Sequence, residues 1–157
     1  MRIVIGLLAG LGVAALSGAG MGGSAAGGND SVVPQIDTTI TIRASGSSLE
    51  FQPARIAVKT GLNVRLRFVN DGTLPHNVAL PRSDDDLDAI AVAAYQAGET
   101  GYIPPAHRDK LIAYTTLASP GQTVEATFVV PPPGEYTYVC LFPGHSNSML
   151  GTLRALK

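Results

Sequence analysis

Three side chains with an affinity for soft or borderline metals lie together near the end of the chain. They are Cys140, His145 and Met149, within Val139-Cys140-Leu141-Phe142-Pro143-Gly144-His145-Ser146-Asn147-Ser148-Met149. Cys140 is the single cysteine, and the chain has three histidines and three methionines. Four residues separate Cys140 from His145, and three separate His145 from Met149. One thiolate, one imidazole and one thioether on one loop make most of a mononuclear copper site. The missing donor is a second imidazole. His76, flanked by Pro75 and Asn77 and 64 residues before Cys140, is the candidate. The set His76, Cys140, His145 and a weaker Met149 is two imidazoles, one thiolate and an axial thioether. Thiolate and thioether favour Cu(I), and imidazole serves both oxidation states, so the set suits one-electron cycling. It leaves no open position for a substrate, which argues against catalysis.

Taken singly these residues are ordinary. A lone cysteine is usually a small buried hydrophobe, a lone histidine a surface group, and a lone methionine core filler. Their joint spacing is what points to a metal. His107, in the proline-rich loop Ile103-Pro104-Pro105, has no soft neighbour and is expected to be solvated rather than ligating. Met1 and Met21 fall in the N-terminal segment, away from the set.

The elements that must position these donors are read from periodicity. From Asp37, Thr38, Ile40 and Ile42 alternate with polar residues, as in a half-buried strand. Leu49 to Phe51, ended by Pro53, reads as a short edge segment, and Ile56 to Val58 as a short strand. Val64, Leu66 and Phe68 alternate with Arg65 and Arg67, and Asn70-Asp71-Gly72 marks a turn. A short strand carries His76 at its mouth. Ser83 to Ala97 is the one helical stretch. Ser83 can cap it, Asp84 to Asp86 favour its N-terminus, and Leu87, Ile90, Ala91, Ala94 and Tyr95 share one face. Gly101 to Arg108 is expected to be irregular. Leu111 to Leu117, Val124 to Val130, Tyr136 to Cys140 and Leu150 to Leu156 are further strands. About eight short strands with one inserted helix predict an all-β fold, an antiparallel Greek-key sandwich or barrel. In such a fold, loops from different strands gather at one end, where His76 can meet the 140–149 loop.

Bulk composition agrees. The 157 residues suffice for one domain plus terminal extensions. Glycine and proline number 18 and 11, and aromatic content is low, which suits a loop-rich β protein. A formal net charge of -1 gives no nucleic-acid footprint. One cysteine excludes an intrachain disulfide, a zinc site of several thiolates and a binuclear copper centre built on two thiolates. After Met1-Arg2, the run from Ile3 to Ala19 is uncharged, apolar and rich in small residues. Residues 1–26 are therefore expected to be an export signal or an N-terminal membrane anchor. Residues 27–36 are expected to be a flexible linker, and 37–157 the folded domain. Both N-terminal readings place that domain in the periplasm or on the extracytoplasmic face of a membrane.

The stretch from Cys140 to Leu153 resembles the copper loop of the azurin and auracyanin type within the cupredoxins, the small blue copper proteins. Pro75-His76-Asn77, Gly134-Glu135-Tyr136-Thr137-Tyr138 and the inserted helix agree with it, and the resemblance spans residues 37–157. It implies a type 1 copper electron carrier. His76, Cys140 and His145 are then the equatorial ligands and Met149 the axial one, with the Pro75 carbonyl a weak contact on the opposite side. The resemblance also implies that the Asn77 and Phe142 N–H groups donate to the Cys140 sulfur. Leu141 stands where azurins carry threonine, and the azurin disulfide is absent. The expected partners are redox proteins, a c-type cytochrome or a membrane oxidoreductase, meeting an apolar rim of Leu74, Pro75, Pro143 and Leu150 around His145. A monomer is expected. The alternative is a copper-binding or delivery protein without redox cycling. Such proteins more often use exposed Met- or His-rich tracts, which this chain lacks.

Overall fold

The computed structural model describes residues 35–157. The expected signal or anchor at 1–26, and the expected linker apart from its last two residues, lie outside the described residues. Alternating sequence becomes eight strands: β1 (Thr38–Gly46), β2 (Arg55–Lys59), β3 (Asn63–Gly72), β4 (Ala79–Pro81), β5 (Leu111–Tyr114), β6 (Thr123–Val129), β7 (Gly134–Val139) and β8 (Leu150–Leu156). They form two sheets, one ordered β1-β3-β6 and the other β2-β8-β7-β4-β5.

The sheets are mixed rather than purely antiparallel. β1 pairs in parallel with β3, and β2 in parallel with β8. The cause is the crossing of the chain between layers. β1 lies in one sheet, β2 in the other and β3 back in the first, so β1 and β3 set out from the same end. The remaining pairs, β3·β6, β4·β5, β4·β7 and β7·β8, are antiparallel.

Strand alternation sends Ile42, Val64, Leu66 and Phe68 inward from the smaller sheet, against Val58, Leu80, Ala113, Tyr138, Leu153 and Ala155 from the larger. Phe51, expected on a short edge segment, is a buried keystone. Its ring meets Phe68 edge-on at 6.0 Å and Tyr138 at 5.2 Å.

The helix, α1 (Leu87–Ala94), is shorter than the predicted 83–97. The aspartates before it bond elsewhere: Asp86 Oδ1 accepts from Lys110 Nζ at 2.7 Å, and Asp84 Oδ1 accepts the Thr137 N–H at 3.3 Å. Asp84–Asp86 forms a 3₁₀ turn instead, with the Ser83 hydroxyl accepting the Asp85 N–H at 3.2 Å as the cap. Ile90 and Ala94 are buried in a second cluster with Ile103, Leu111, Val139 and Leu141. Val139 and Leu141 alternate with the inward Tyr138 and Cys140, so α1 covers the outer side of the larger sheet. Tyr95, expected on the buried face, is the C-cap of α1 and is 55% exposed. The segment expected to be irregular holds a 3₁₀ turn, Pro105–Lys110, and the strand expected to run to Leu117 stops at Tyr114. Among the described residues, no helix is long and apolar enough to cross a membrane.

Candidate metal centre

β7 and β8 are antiparallel neighbours, and residues 140–149 connect them. Cys140 follows β7 directly and points into the sandwich, fully buried. Its N–H donates to the Met149 carbonyl at 3.1 Å, which closes the loop at its base. The His145 carbonyl accepts the N–H groups of Ser148 and Met149 at 3.1 and 2.8 Å, a helical turn that carries His145 back over Cys140. Met149 is buried in the same cluster as Cys140.

His76 arrives from the other ligand segment, between β3 and β4. Its backbone exchanges two hydrogen bonds with Ala118, at 3.0 and 2.8 Å. Behind it, the buried Asn70 side chain donates to the carbonyls of Leu74 and Ala118 at 2.8 and 2.9 Å and accepts the Gly72 N–H at 3.0 Å. Sequence reasoning took Asn70 only as a turn residue. Its full burial, legible only in three dimensions, makes it the brace of the His76 segment. Phe68 packs edge-on against the His76 ring at 6.5 Å.

The structure brings three of the expected donors together. The Cys140 sulfur lies 3.7 Å from His76 Nδ1 and 3.6 Å from His145 Nδ1, and the two Nδ1 atoms are 3.2 Å apart. All three residues are buried. These separations fit a shared ion. Bonds of about 2.0 Å to nitrogen and about 2.3 Å to sulfur, spread flat around one centre, separate the nitrogens by about 3.5 Å and sulfur from nitrogen by about 3.7 Å. His107 is elsewhere, in the turn before β5. It is half-buried: its Nδ1 is shielded and has no hydrogen-bond partner among the described residues, and it lies away from the cluster. Pro75 is half-buried beside His76.

Electrostatics favour a neutral, metal-free site. Burial, helped by the neighbouring His145, lowers the His76 pKa to about 4, and burial lowers that of His145. Burial pushes the Cys140 thiol up to about 11. The backbone N–H groups of Asn77 and Phe142 both point at its sulfur and partly offset that cost, and they will stabilise a thiolate. A cation placed between these groups therefore converts a thiol to a thiolate and meets two imidazoles already free of protons.

Asn77 ties the two ligand segments together. It is buried, its Oδ1 accepts the Leu141 N–H at 2.8 Å, and its Nδ2 donates to the Gly101 carbonyl at 2.8 Å. This bond uses the Leu141 backbone and so does not require a threonine at 141. Two further supports escaped sequence reasoning. Tyr102 meets Phe142 edge-on at 5.0 Å, and Phe142 packs on His145 at 4.8 Å. The Tyr95 hydroxyl accepts the Gly144 N–H at 3.1 Å.

Known proteins share this arrangement. The model of the family described as copper binding proteins, plastocyanin/azurin family, matches residues 38–155. Auracyanin-B of Chloroflexus aurantiacus is 34% identical over 134 residues, which cover 83% of this chain and 57% of that protein. The chain thus matches little more than half the length of that relative. Auracyanin-A of the same organism is 37% identical over 117 residues, covering 73% of this chain and 72% of the relative. The solved structure of auracyanin B superposes with a TM-score of 0.75 at 32% identity, over 80% of this chain and 94% of that one. That of auracyanin A, described as a "blue" copper protein, gives 0.70 at 36%, over 75% and 98%. Fold, donor set and sequence agree, and the chain belongs to the plastocyanin/azurin family of copper-binding proteins.

Proposed function

We propose that this chain is an electron carrier with one type 1 copper, which His76, Cys140, His145 and Met149 would hold, and that it serves redox partners outside the cytoplasm. The observation that carries this reading is the cluster of one sulfur and two imidazole nitrogens, buried and mutually 3.2 to 3.7 Å apart. Bound copper supplies a one-electron Cu(II)/Cu(I) couple. The chain's residues determine how it is used. The Asn77 and Phe142 amides steady the thiolate charge, and Phe68 on the His76 side and Phe142 on the His145 side exclude water. The Pro75 carbonyl would be a weak further contact.

His145 is the exit. It is 6% exposed, and in the segments that carry the donors Leu74 and Leu150 are 39% and 38% exposed, with Pro75 and Pro143 half-buried. A small apolar rim permits close and brief contact with another redox protein. A c-type cytochrome or a membrane oxidoreductase fits that role. Residues 1–26 serve as the export signal or the tether, and the carrier acts as a monomer. A closed four-ligand centre offers no substrate position, so the chain transfers electrons rather than transforming a substrate.

The test is spectroscopic. Protein loaded with Cu(II) is expected to show an intense visible thiolate-to-copper band and a narrow parallel hyperfine splitting. A colourless adduct with an ordinary tetragonal spectrum overturns the electron-carrier reading in favour of simple copper binding. Fractionation of cells decides the location and whether the N-terminal segment is retained.

A further inference from the structure

α1 reaches the metal loop through one hydroxyl. Tyr95 is the C-cap that follows α1, and although it is 55% exposed its Oη accepts the Gly144 N–H at 3.1 Å. Gly144 immediately precedes His145 and has φ +83°, in the left-handed region that favours glycine. The neighbouring amides are held differently. Leu141 N–H donates to Asn77, Phe142 N–H to the Cys140 sulfur, and His145 N–H to the Phe142 carbonyl at 3.0 Å. Gly144 depends on a side chain from outside both ligand segments. Apart from its chain neighbours, no atom lies within 4 Å of where a Gly144 side chain would begin, so that side of the turn is open.

We propose that Tyr95 is a positioning residue for the metal centre. Its hydroxyl holds the Phe142-Pro143-Gly144 turn, and that turn fixes His145 Nδ1 relative to His76 and Cys140. Tyr95 touches no ligand and acts through Gly144. The inference rests on the copper reading above. It gives α1 a task beyond covering the sheet: with Tyr102 against Phe142, the insertion grips the loop on the side from which His145 comes. An anchored imidazole moves little between oxidation states, and supporting contacts of this kind govern a site's properties more than its stability.

Tyr95→Phe keeps the ring and deletes the hydroxyl. In the metal-free protein, exchange of the Gly144 amide proton is expected to accelerate by about tenfold or more, with core strand amides and melting temperature unchanged. In the copper-loaded protein, the visible band and hyperfine splitting are expected to shift, the potential to rise because a looser His145 favours Cu(I), and electron self-exchange to slow by about threefold or more. Val92→Ala, at another exposed position of α1, is expected to change none of these. Unaltered Gly144 exchange in Tyr95→Phe overturns the proposal, as does faster exchange with a parental spectrum and self-exchange rate. A melting temperature that falls along with the spectral change assigns Tyr95 a structural role instead and likewise overturns it. Failure of the copper reading is told apart by the parent protein, which would then lack the thiolate-copper band while the Gly144 exchange result still stands.

Discussion

The Asn77 Oδ1 atom accepts the Leu141 backbone N–H at 2.8 Å across 64 residues of sequence. With its Nδ2 on the Gly101 carbonyl, the side chain joins three segments: the His76 strand mouth, the cysteine loop and the insertion. The Asn77 side chain is buried, its bond to Leu141 is shielded from water, and its bond to Gly101 is partly so. Asn77→Ala leaves the Leu141 N–H and the Gly101 carbonyl unpaired. The expected cost is about 3 kcal/mol in the metal-free protein. Copper affinity should fall by about 10- to 100-fold. Denaturant unfolding and a competition titration read the two effects separately. An unfolding midpoint equal to that of the parent would remove Asn77 from the account of how the loops are joined.

The ligands themselves divide by role. Cys140→Ser removes the thiolate that produces the colour, so the copper-loaded variant should lose the visible band entirely. Met149→Leu fills the same buried place without sulfur and should keep the colour. Its potential should rise, since one donor fewer in a more apolar site weighs more on the doubly charged Cu(II) than on Cu(I), whatever the softness of the donor lost. Absorption spectra and voltammetry check the pair, and a blue Cys140→Ser protein would overturn the ligand assignment.

The metal loop was legible because its chemistry is local: Cys140, His145 and Met149 declare themselves by spacing within one segment. His76 was legible by its residue type and its place at a strand mouth. Strand periods survived folding well, and Leu150–Leu156 is the last strand as predicted. What escaped prediction depends on distant partners. The parallel pairing of β1 with β3 follows from the chain crossing between layers, which alternation along one strand does not encode. α1 ends at Ala94 although the apolar spacing continues to Tyr95. Asn70 looked like a turn residue because its buried bonds run to Leu74 and, 48 residues away, to Ala118.

Proton linkage follows from burial at the site. In the metal-free protein, the His76 pKa is depressed from 6.5 to about 4, so the unfolded chain binds that proton more readily. The resulting stability is fully present above about pH 6.5 and is lost as pH falls through about 4. The Cys140 thiol is raised from 9.0 to about 11, so its contribution is present below about pH 9 and is lost as pH rises through about 11. Thermal melts of the metal-free protein should therefore show a plateau between about pH 6.5 and 9. Across that plateau metal uptake releases the thiol proton, and apparent copper affinity should climb about tenfold per pH unit. Affinity independent of pH there would mean that the thiol is already ionised.

Gly151 is the last position where a small change has a large expected effect. It is the second residue of β8, opposite Tyr138 in β7, and the Tyr138 ring lies across it. The ring is fixed on its other sides. Phe51 packs against it at 5.2 Å, and its hydroxyl donates to the Pro53 carbonyl at 2.6 Å. A Cβ on Gly151 would overlap Tyr138 Cζ, Cε2 and Oη, and a ring held at both ends has nowhere to go. Gly151→Ala must therefore break the Tyr138 bond to Pro53, displace Phe51, or bend β8 away from β7. The expected cost is about 3 kcal/mol. Because β8 begins at Leu150, directly after Met149, the strain also reaches that ligand, and the visible band of copper-loaded protein should shift. Tyr138→Phe in the same background separates the two sources of loss. It removes the hydroxyl bond, letting the ring slide along the strand, and should restore part of the stability lost in Gly151→Ala. A double variant no more stable than Gly151→Ala alone would place the strain in the β8 backbone rather than in the ring.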